Sequence, residues 1–258
     1  MCYDADARPP LPPIRDAALD AGELTVTAAD STEVAAYAAR AGVPSGTGIV
    51  ILPDVRGLHP FFEELALRFA EAGVDAIAID YFSRTAGTGR RGGDFDYNSH
   101  IPLTHYETLN ADIAAAAAYL RTEDGGAVER VNTVGFCFGG RLSFLQAASG
   151  IGAAGVIGFY GWPVGPNRAG LPAPADEAPS FTCPVLAIWG GADEGIGPEV
   201  VQAFDAAMDI AGKEHRTVVY PDAPHSFFDR SAGDHASASE DAWREVLDFM
   251  MVTTPAQG

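Results

Sequence analysis

The chain has 258 residues, of which 47% are hydrophobic and 20% are charged, a composition typical of a globular protein with its own core. Its 35 acidic residues outnumber its 16 basic ones and give a net charge of −19, which predicts that the protein binds neither nucleic acid nor an anionic membrane surface. No apolar run reaches the ~20 residues of a membrane-spanning helix, and the first residues lack the pattern of a secretory signal, so we expect a cytoplasmic protein.

The three cysteines, Cys2, Cys137 and Cys183, are too few for a set of disulfides, and no two of them form a C-x-x-C pair. Such isolated cysteines indicate free thiols in a reducing compartment and argue against a structural zinc site. We therefore expect no metal site. The sequence around each cysteine has to decide whether its thiol is reactive.

Residues 1–22 are rich in proline and aspartate and have little periodicity, which predicts an extended N-terminal arm. Two short alternating stretches follow, at 23–28 and 34–40, and their spacing predicts an antiparallel hairpin at a sheet edge. From residue 48 onward, continuous apolar runs alternate with stretches of helical periodicity. This alternation predicts a single α/β domain over 23–258, with a mostly parallel central sheet and helices on both faces.

The elements of this domain follow one another in regular alternation. The predicted strands are 48–52, 74–79, 131–135, 154–159, 184–189 and 216–220, and the predicted helices are 60–72, 106–121, 139–148, 199–211 and 237–250. Two segments, 83–105 and 160–182, are longer and more polar than connections usually are. Both follow strand ends, where open α/β sheets bind ligands, so we predict that they form loops or lids over a site.

The most informative motif is Gly135-Phe136-Cys137-Phe138-Gly139, which lies between a predicted strand and a predicted helix. A nucleophile elbow is a sharp strand-to-helix turn in which small residues two before and two after the nucleophile let the two backbones pass closely. It also places the nucleophile at a helix N-terminus, which favours a thiolate and a developing oxyanion. We therefore predict that Cys137 is a catalytic nucleophile.

A nucleophile in such an elbow needs an acid and then a base, each after a later strand. Asp193 and His225 follow the ends of two later predicted strands in this order. We predict that Asp193 is the acid and that His225 is the base. Glu194 is the alternative acid, and Asp222 is a weaker alternative because it lies so close to His225 in the chain.

Two backbone amides have to stabilise the oxyanion that nucleophilic attack creates. The amide of Phe138, directly after the nucleophile, is the first candidate. The second is expected in the loop after the strand 48–52, where the amide of Val55 is best placed. The sequence therefore predicts an oxyanion hole formed by Val55 and Phe138.

Together these motifs resemble those of the dienelactone hydrolase (carboxymethylenebutenolidase) family of α/β hydrolases. The resemblance extends from about residue 24 to 251 and is carried by 52–58 (LPDVRGL), 78–84 (AIDYFSR), 135–140 (GFCFGG), 190–194 (GGADE) and 224–227 (PHSF). The G-x-C-x-G elbow makes it specific, because most α/β hydrolases use serine. The resemblance implies an α/β-hydrolase fold and a cofactor-free hydrolase that acts on a small enol-lactone or ester.

The resemblance also implies roles for residues near the nucleophile. Asp54 occupies the position of a carboxylate, usually Glu in the family, that contacts the nucleophile and restrains the resting thiol. Arg84 matches one of two arginines that bind a substrate carboxylate. The position of the second, four residues after the histidine, holds Asp229, and Arg230 follows it.

Three further residues are candidates for substrate binding because they follow strand ends. Arg56 follows the first buried strand, and Tyr160 and Trp162 follow the strand 154–159. Arg56 is equally well placed to pair with a surface acid, and the two aromatic side chains are equally suited to plain packing.

We therefore expect a cysteine-dependent hydrolase that cleaves a small ester or lactone through an acyl-cysteine intermediate, as a monomer or a small homo-oligomer. Two other interpretations stay open. One is an acyltransferase or a biosynthetic-pathway hydrolase on the same scaffold, and the other is a non-catalytic protein that binds small molecules. A thiol-redox protein is a weaker alternative, because no resolving cysteine is evident in the sequence.

Overall fold

One sheet of eight strands organises the part of the chain that the computed structural model describes, which comprises residues 8–11, 18–228 and 235–252. The strands are β1 (Ala18–Thr27), β2 (Glu33–Ala41), β3 (Thr47–Leu52), β4 (Asp75–Ile79), β5 (Arg130–Phe136), β6 (Gly155–Phe159), β7 (Val185–Gly190) and β8 (His215–Tyr220). Their spatial order is β1-β2-β4-β3-β5-β6-β7-β8. The β1–β2 and β2–β4 pairs are antiparallel, and every other neighbouring pair is parallel.

Helices connect the parallel strands and follow the last one. They are α1 (Pro60–Glu71), α2 (Ser83–Ala86), α3 (Tyr97–His100), α4 (Tyr106–Leu120), α5 (Phe138–Gln146), α6 (Pro174–Glu177), α7 (Pro198–Ile210) and α8 (Ala236–Val252), with 3₁₀ turns at Ile101–Leu103 and Ala178–Ser180. α1 and α8 meet through Phe69 and Trp243, whose ring centroids are 4.7 Å apart. Within the described residues, no helix combines the length and apolarity needed to cross a membrane.

The parallel strands β3 to β7 are buried on both faces, as their continuous apolar sequences predict, whereas the edge strand β8 is partly exposed. In β3, Ile49 and Ile51 belong to one hydrophobic cluster, while Val50 and Leu52 belong to another. Because successive side chains of a strand point to opposite faces, the two clusters lie on opposite sides of the sheet. Full burial of each such side chain contributes about 1.5–3 kcal/mol, so the centre of the sheet is a rigid frame for the loops at its edge.

The predicted mostly parallel sheet and the antiparallel N-terminal hairpin are confirmed, and the predicted elements from residue 48 onward lie within two residues of the observed ones. The hairpin differs at its start. β1 begins at Ala18, so residues 18–22, predicted as part of the arm, belong to the sheet. There Ala21 and Gly22 pair with residues of β2. Neither residue favours a strand by itself, and pairing with a neighbouring strand outweighs this local preference.

The two long polar segments contain more regular structure than loops. Segment 83–105 includes α2, α3 and a 3₁₀ turn, and segment 160–182 includes α6 and the other 3₁₀ turn. A buried ion pair anchors the first segment to the end of β4, with 2.6 Å between Arg91 Nε and Asp80 Oδ2. The Arg91 guanidinium also lies over the Phe95 ring, 4.9 Å from its centroid. Such long-range pairing leaves no periodic pattern in the sequence.

At the junction of β5 and α5 the two backbones are in direct contact. A Cβ atom on Gly135 would lie 1.9 Å from the carbonyl oxygen of Gly139, and one on Gly139 would lie 2.1 Å from that of Leu52. No side chain fits at such distances, so glycine is required at both positions. The junction therefore holds α5 directly against β5 and β3, as the elbow motif predicts.

We expect Gly139→Ala to lower the free energy of unfolding by more than ~3 kcal/mol, because the added methyl group displaces the backbone of β3 or α5. Gly89→Ala is the control, since a Cβ atom there meets nothing within 4 Å. Urea unfolding, monitored by circular dichroism, measures the unfolding midpoints of the two variants. Equal midpoints for the two variants would contradict the backbone contact.

Candidate active site

Cys137 lies at the tip of the junction between β5 and α5. It is the N-cap residue of α5 and has φ 55° and ψ −109°, a conformation that non-glycine residues rarely adopt. Its amide donates a hydrogen bond to the Phe159 carbonyl at 3.0 Å, which ties the turn to the neighbouring strand. The glycine contacts below the turn hold this strained backbone, and Cys137 lines a cavity at the carboxyl edge of the sheet.

Asp193 and His225 lie beside this cavity after β7 and β8, and the structure brings them together. Asp193 Oδ2 lies 2.6 Å from His225 Nδ1. The other carboxylate oxygen accepts hydrogen bonds from the amides of Gly195 at 2.8 Å and Ile196 at 3.2 Å. A carboxylate at Nδ1 favours the tautomer with hydrogen on that atom, which leaves Nε2 to accept a proton. The alternative acids, Glu194 and Asp222, are both exposed.

The surroundings of Asp193 keep it ionised. Burial alone would raise the pKa of this carboxyl group, but the hydrogen bonds from His225, Gly195 and Ile196 outweigh burial and lower the pKa below its ordinary value. At neutral pH the side chain is therefore an anion that orients the imidazole and stabilises its protonated form.

The two predicted oxyanion donors lie in the wall of the same cavity. Phe138 is the first residue of α5, so its amide is among those without an acceptor inside the helix. Val55 lies in the loop after β3. The hydroxyl of Tyr81 is bonded to the carbonyl oxygen of Pro53 at 2.6 Å and to that of Asp54, which holds this loop. Both predicted donors therefore lie in the wall of the cavity that Cys137 also lines.

The cavity has a volume of about 480 Å³, which suits a small organic molecule. Its aromatic wall consists of Tyr97, Phe138, Tyr160 and Trp162. Tyr160 is buried and its ring centroid lies 4.8 Å from that of His225, whereas Trp162 is 38% exposed at the rim. Tyr160 and Trp162 thus both lie where contact with a substrate is expected.

This arrangement agrees with comparisons against known proteins. A model of the dienelactone hydrolase family matches residues 34–253. The chain belongs to the dienelactone hydrolase family. A Methylorubrum extorquens protein assigned as a carboxymethylenebutenolidase is 30% identical over 243 residues, covering 90% of this chain and 80% of its own. The carboxymethylenebutenolidase of Rhodococcus opacus is 26% identical over 254 residues, covering 96% of each chain.

Solved structures agree with this assignment. A Klebsiella pneumoniae protein assigned as a dienelactone hydrolase has a TM-score of 0.80 at 25% identity, covering 90% of this chain and 98% of its own. A dienelactone hydrolase-like promiscuous phosphotriesterase from metagenomic libraries has a TM-score of 0.75 at 22% identity, covering 92% and 99%. The second likeness concerns the fold alone. Membership of the dienelactone hydrolase family makes this protein a hydrolase of ester or lactone bonds.

In this dienelactone hydrolase family member, Arg84 is not among the residues that line the cavity. Its guanidinium pairs with Asp112 of α4 (Nη2–Oδ1 2.7 Å) and with Asp30 (Nη1–Oδ2 2.6 Å). The hydrogen bonds that Arg84 donates to Asp112 and Asp30 raise the pKa of its guanidinium above its ordinary value. Two carboxylates of the protein thus pair with this guanidinium, and binding of a substrate carboxylate by Arg84 stays a prediction.

Asp54 and Arg56 pair with each other in the loop that carries Val55. Asp54 is fully buried, and its Oδ2 lies 2.9 Å from Arg56 Nη2, while His59 Nε2 lies 3.8 Å from Oδ1. Burial would raise the pKa of Asp54, but His59 and Arg56 outweigh it, so the pKa lies below its ordinary value. Neither Asp54 nor Arg56 lines the cavity. Arg56 thus pairs with a buried acid rather than with the surface acid of one prediction, and its contact with a substrate stays a prediction.

Two further arginines line the cavity of this dienelactone hydrolase family member and were missed in the sequence. Arg141 lies in α5, and Arg168 lies in segment 160–182, where its Nη2 donates to Asn98 Oδ1 at 3.1 Å. The one available signal was that Arg141 is the only charged residue of helix 138–146. The predicted Arg230, like Asp229, lies outside the described residues.

Ser226, next to His225, has a strained backbone. Its φ is 61°, and its buried Oγ has no hydrogen-bond partner among the residues that the structure describes. A positive φ costs a residue with a Cβ atom about 1 kcal/mol relative to glycine, and an unpaired buried hydroxyl adds to this cost.

We expect Ser226→Gly to raise the free energy of unfolding by about 1 kcal/mol, because glycine tolerates this φ. Ser226→Ala removes the hydroxyl but keeps the Cβ atom, so its gain should be smaller. Thermal and urea unfolding of both variants measure the difference. An alanine variant more stable than the glycine variant would contradict backbone strain at this position.

Proposed function

We propose that this protein is a cysteine hydrolase that cleaves a small ester or lactone through an acyl-cysteine intermediate. The observation that carries the proposal is one cavity lined by Cys137, the oxyanion donors Val55 and Phe138, and a His225–Asp193 pair joined at 2.6 Å. These are the groups that nucleophilic acyl transfer requires: a nucleophile, a base with its orienting acid, and amides for the oxyanion.

Acylation begins when His225 Nε2 accepts the Sγ proton of Cys137 and the thiolate attacks the substrate carbonyl carbon. The carbonyl oxygen becomes an oxyanion, which the Val55 and Phe138 amides stabilise. Collapse of this adduct breaks the carbon–oxygen bond of the ester, and the imidazolium returns its proton to the departing oxygen. The carbonyl carbon is then joined to sulfur as a thioester, while in a lactone the departing oxygen stays on the same molecule.

Deacylation uses the same groups. His225 takes a proton from water, and the resulting hydroxide attacks the thioester carbonyl. The second oxyanion collapses, the carbon–sulfur bond breaks, and His225 returns the proton to the thiolate of Cys137. The carboxylic acid product leaves, and the enzyme is restored without any external oxidant or reductant.

The chemistry of the nucleophile favours oxygen esters over amides. A thiolate leaves more readily than an amine, so an adduct formed with an amide would revert to reactants. The cavity of about 480 Å³ admits compact esters and lactones rather than polymers. Because the Rhodococcus opacus relative is named a carboxymethylenebutenolidase, an enol-lactone of that kind belongs in the first substrate panel, beside simple aryl esters.

The decisive experiment is a panel of small esters and lactones hydrolysed by wild type and by Cys137→Ala. We expect the variant to lose at least ~10³-fold in kcat/KM, because no other group forms the acyl intermediate. Mass spectrometry of quenched wild type should show one acyl group on Cys137. Cys183→Ala is the matched control, since burial raises the pKa of the Cys183 thiol to about 12 and keeps it unreactive. Activity of Cys137→Ala equal to wild type on every substrate would refute the proposal.

We expect Asp193→Asn to lower kcat by about 10²–10⁴-fold, because an amide no longer fixes the imidazole tautomer. The variant also tests the lowered pKa of Asp193. A carboxyl group whose pKa is lower when folded stabilises the protein above its unfolded pKa of about 3.9 and loses this contribution as pH falls through the folded pKa. Wild type should therefore be the more stable protein at pH 7, and the difference should shrink below about pH 4. A difference in unfolding free energy that does not change with pH would count against an ionised Asp193.

A further inference from the structure

Arg141 lies in the first turn of the nucleophile helix, four residues after Cys137. Its amide donates the helical hydrogen bond to the Cys137 carbonyl at 3.2 Å. The residue is only 2% exposed, although it lines the cavity. A guanidinium is rarely buried this completely unless it makes hydrogen bonds that an apolar side chain cannot make.

Among the described residues, the hydrogen-bond acceptors of this guanidinium all lie in one segment of the chain, residues 162–172. Nε donates to the Pro172 carbonyl at 3.0 Å, and Nη1 donates to that of Trp162 at 3.1 Å. Nη2 donates to Gly165 at 2.7 Å and to Leu171 at 2.9 Å. The acceptors lie at both ends of the segment, so the guanidinium joins the stretch of chain that follows β6 to the stretch that leads into α6.

Only arginine can make this set of contacts. Its planar fork presents donors on three nitrogen atoms in fixed directions, whereas lysine carries all its donors on one. Among the described residues no carboxylate bonds to Arg141, and Asp176, which acts on its charge, is itself exposed. Burial lowers the pKa of Arg141 to about 10, so the position is an unfavourable one for a cation. The four carbonyl contacts offset that cost.

The segment between the tied ends forms the outer wall of the cavity. Pro166, Asn167, Arg168 and Ala169 all line it. At the rim, Arg168 donates to Asn98 of the opposite segment at 3.1 Å. This exposed bond is a weak restraint compared with the four from Arg141, of which one is buried and three are part-buried. The Ala175 amide donates to the Pro163 carbonyl at 3.0 Å near one end of the segment, whereas Arg141 bonds to both ends, so the position of the wall depends on Arg141.

We propose that Arg141 is a positioning residue that holds segment 162–172 as the substrate-binding wall of the cavity. The kinetic part of this inference rests on the proposed ester hydrolysis, whereas the structural part does not. If the wall is displaced, parts of the substrate beyond the reacting carbonyl lose their contacts. The loss of kcat/KM that replacement of Arg141 causes should then grow with the size of the substrate.

Limited trypsin digestion tests the structural part without any activity. Arg168 is exposed and is followed by Ala169, so trypsin can cleave there when the segment is released. We expect cleavage after Arg168 to accelerate at least ~10-fold in Arg141→Met and by a smaller factor in Arg141→Lys, with other sites unchanged. Arg121→Met is the control, because in the described part of the chain the Arg121 side chain also donates only to backbone carbonyls, those of Ala117, Ile151 and Gly152, but does not line the cavity.

Kinetics test the functional part with p-nitrophenyl esters of lengthening acyl chain and acetate esters of lengthening alcohol. In Arg141→Met, kcat/KM for the longest member of at least one series should fall ~10-fold further than for the shortest, through a rise in KM. Arg121→Met should follow wild type throughout.

Each outcome separates this inference from the proposed function. Uniformly faster cleavage at all sites, unchanged cleavage after Arg168, or a size-independent loss of kcat/KM would each overturn the positioning role. If Arg141→Met does not fold, Arg141→Lys decides by the same measurements. If wild type hydrolyses no ester or lactone, ester hydrolysis is refuted, while the digestion pattern still decides whether Arg141 holds the wall.

Discussion

The close contact between the backbones of β5 and α5 is the constraint on which the site depends. Because Gly135 and Gly139 let the two elements touch, the chain must reverse within one residue, and Cys137 takes up a positive φ of 55°. The same turn starts a helix at Phe138, so the positive end of the helix dipole and an amide with no acceptor inside the helix directly follow Cys137. The positions of the proposed nucleophile and of one proposed oxyanion donor thus have the same geometric cause.

The parallel sheet brings the other residues of the candidate site to the cavity beside Cys137. Asp193 and His225 are 32 residues apart in the chain, yet they meet because β7 and β8 are adjacent and end at the same edge. Val55 lines the same cavity from the loop after β3. In the sheet, β3 lies on one side of β5, the strand that leads into the elbow, and β6, β7 and β8 lie on the other side. A rigid frame buried on both faces fixes these loop positions, and the loops provide the chemistry. The elbow therefore forms a candidate active site only together with the loops after β3, β7 and β8.

The sequence predicted the frame well because its signals are local. Continuous apolar runs mark strands that are buried on both faces, and flanking glycines mark the elbow, so both can be recognised without knowing any tertiary contact. The order of strand ends was enough to select Asp193 and His225. The start of β1 was missed because Ala21 and Gly22 become strand only through pairing with β2. A contact that depends on a distant partner leaves no local pattern, and this limited the prediction of individual arginines.

The arginines show how a distant partner decides a role. Arg84 matches a family position for substrate binding, but Asp112 and Asp30 occupy its guanidinium. Arg56 is similarly held by Asp54. In a chain with 35 acidic and 16 basic residues, most arginines find a carboxylate, which neutralises them as ligands for an anionic substrate. Arg141 differs because its bonds go to carbonyl groups, which orient the guanidinium without cancelling its charge. Position in a motif therefore identifies an arginine, while its hydrogen-bond acceptors determine what it does.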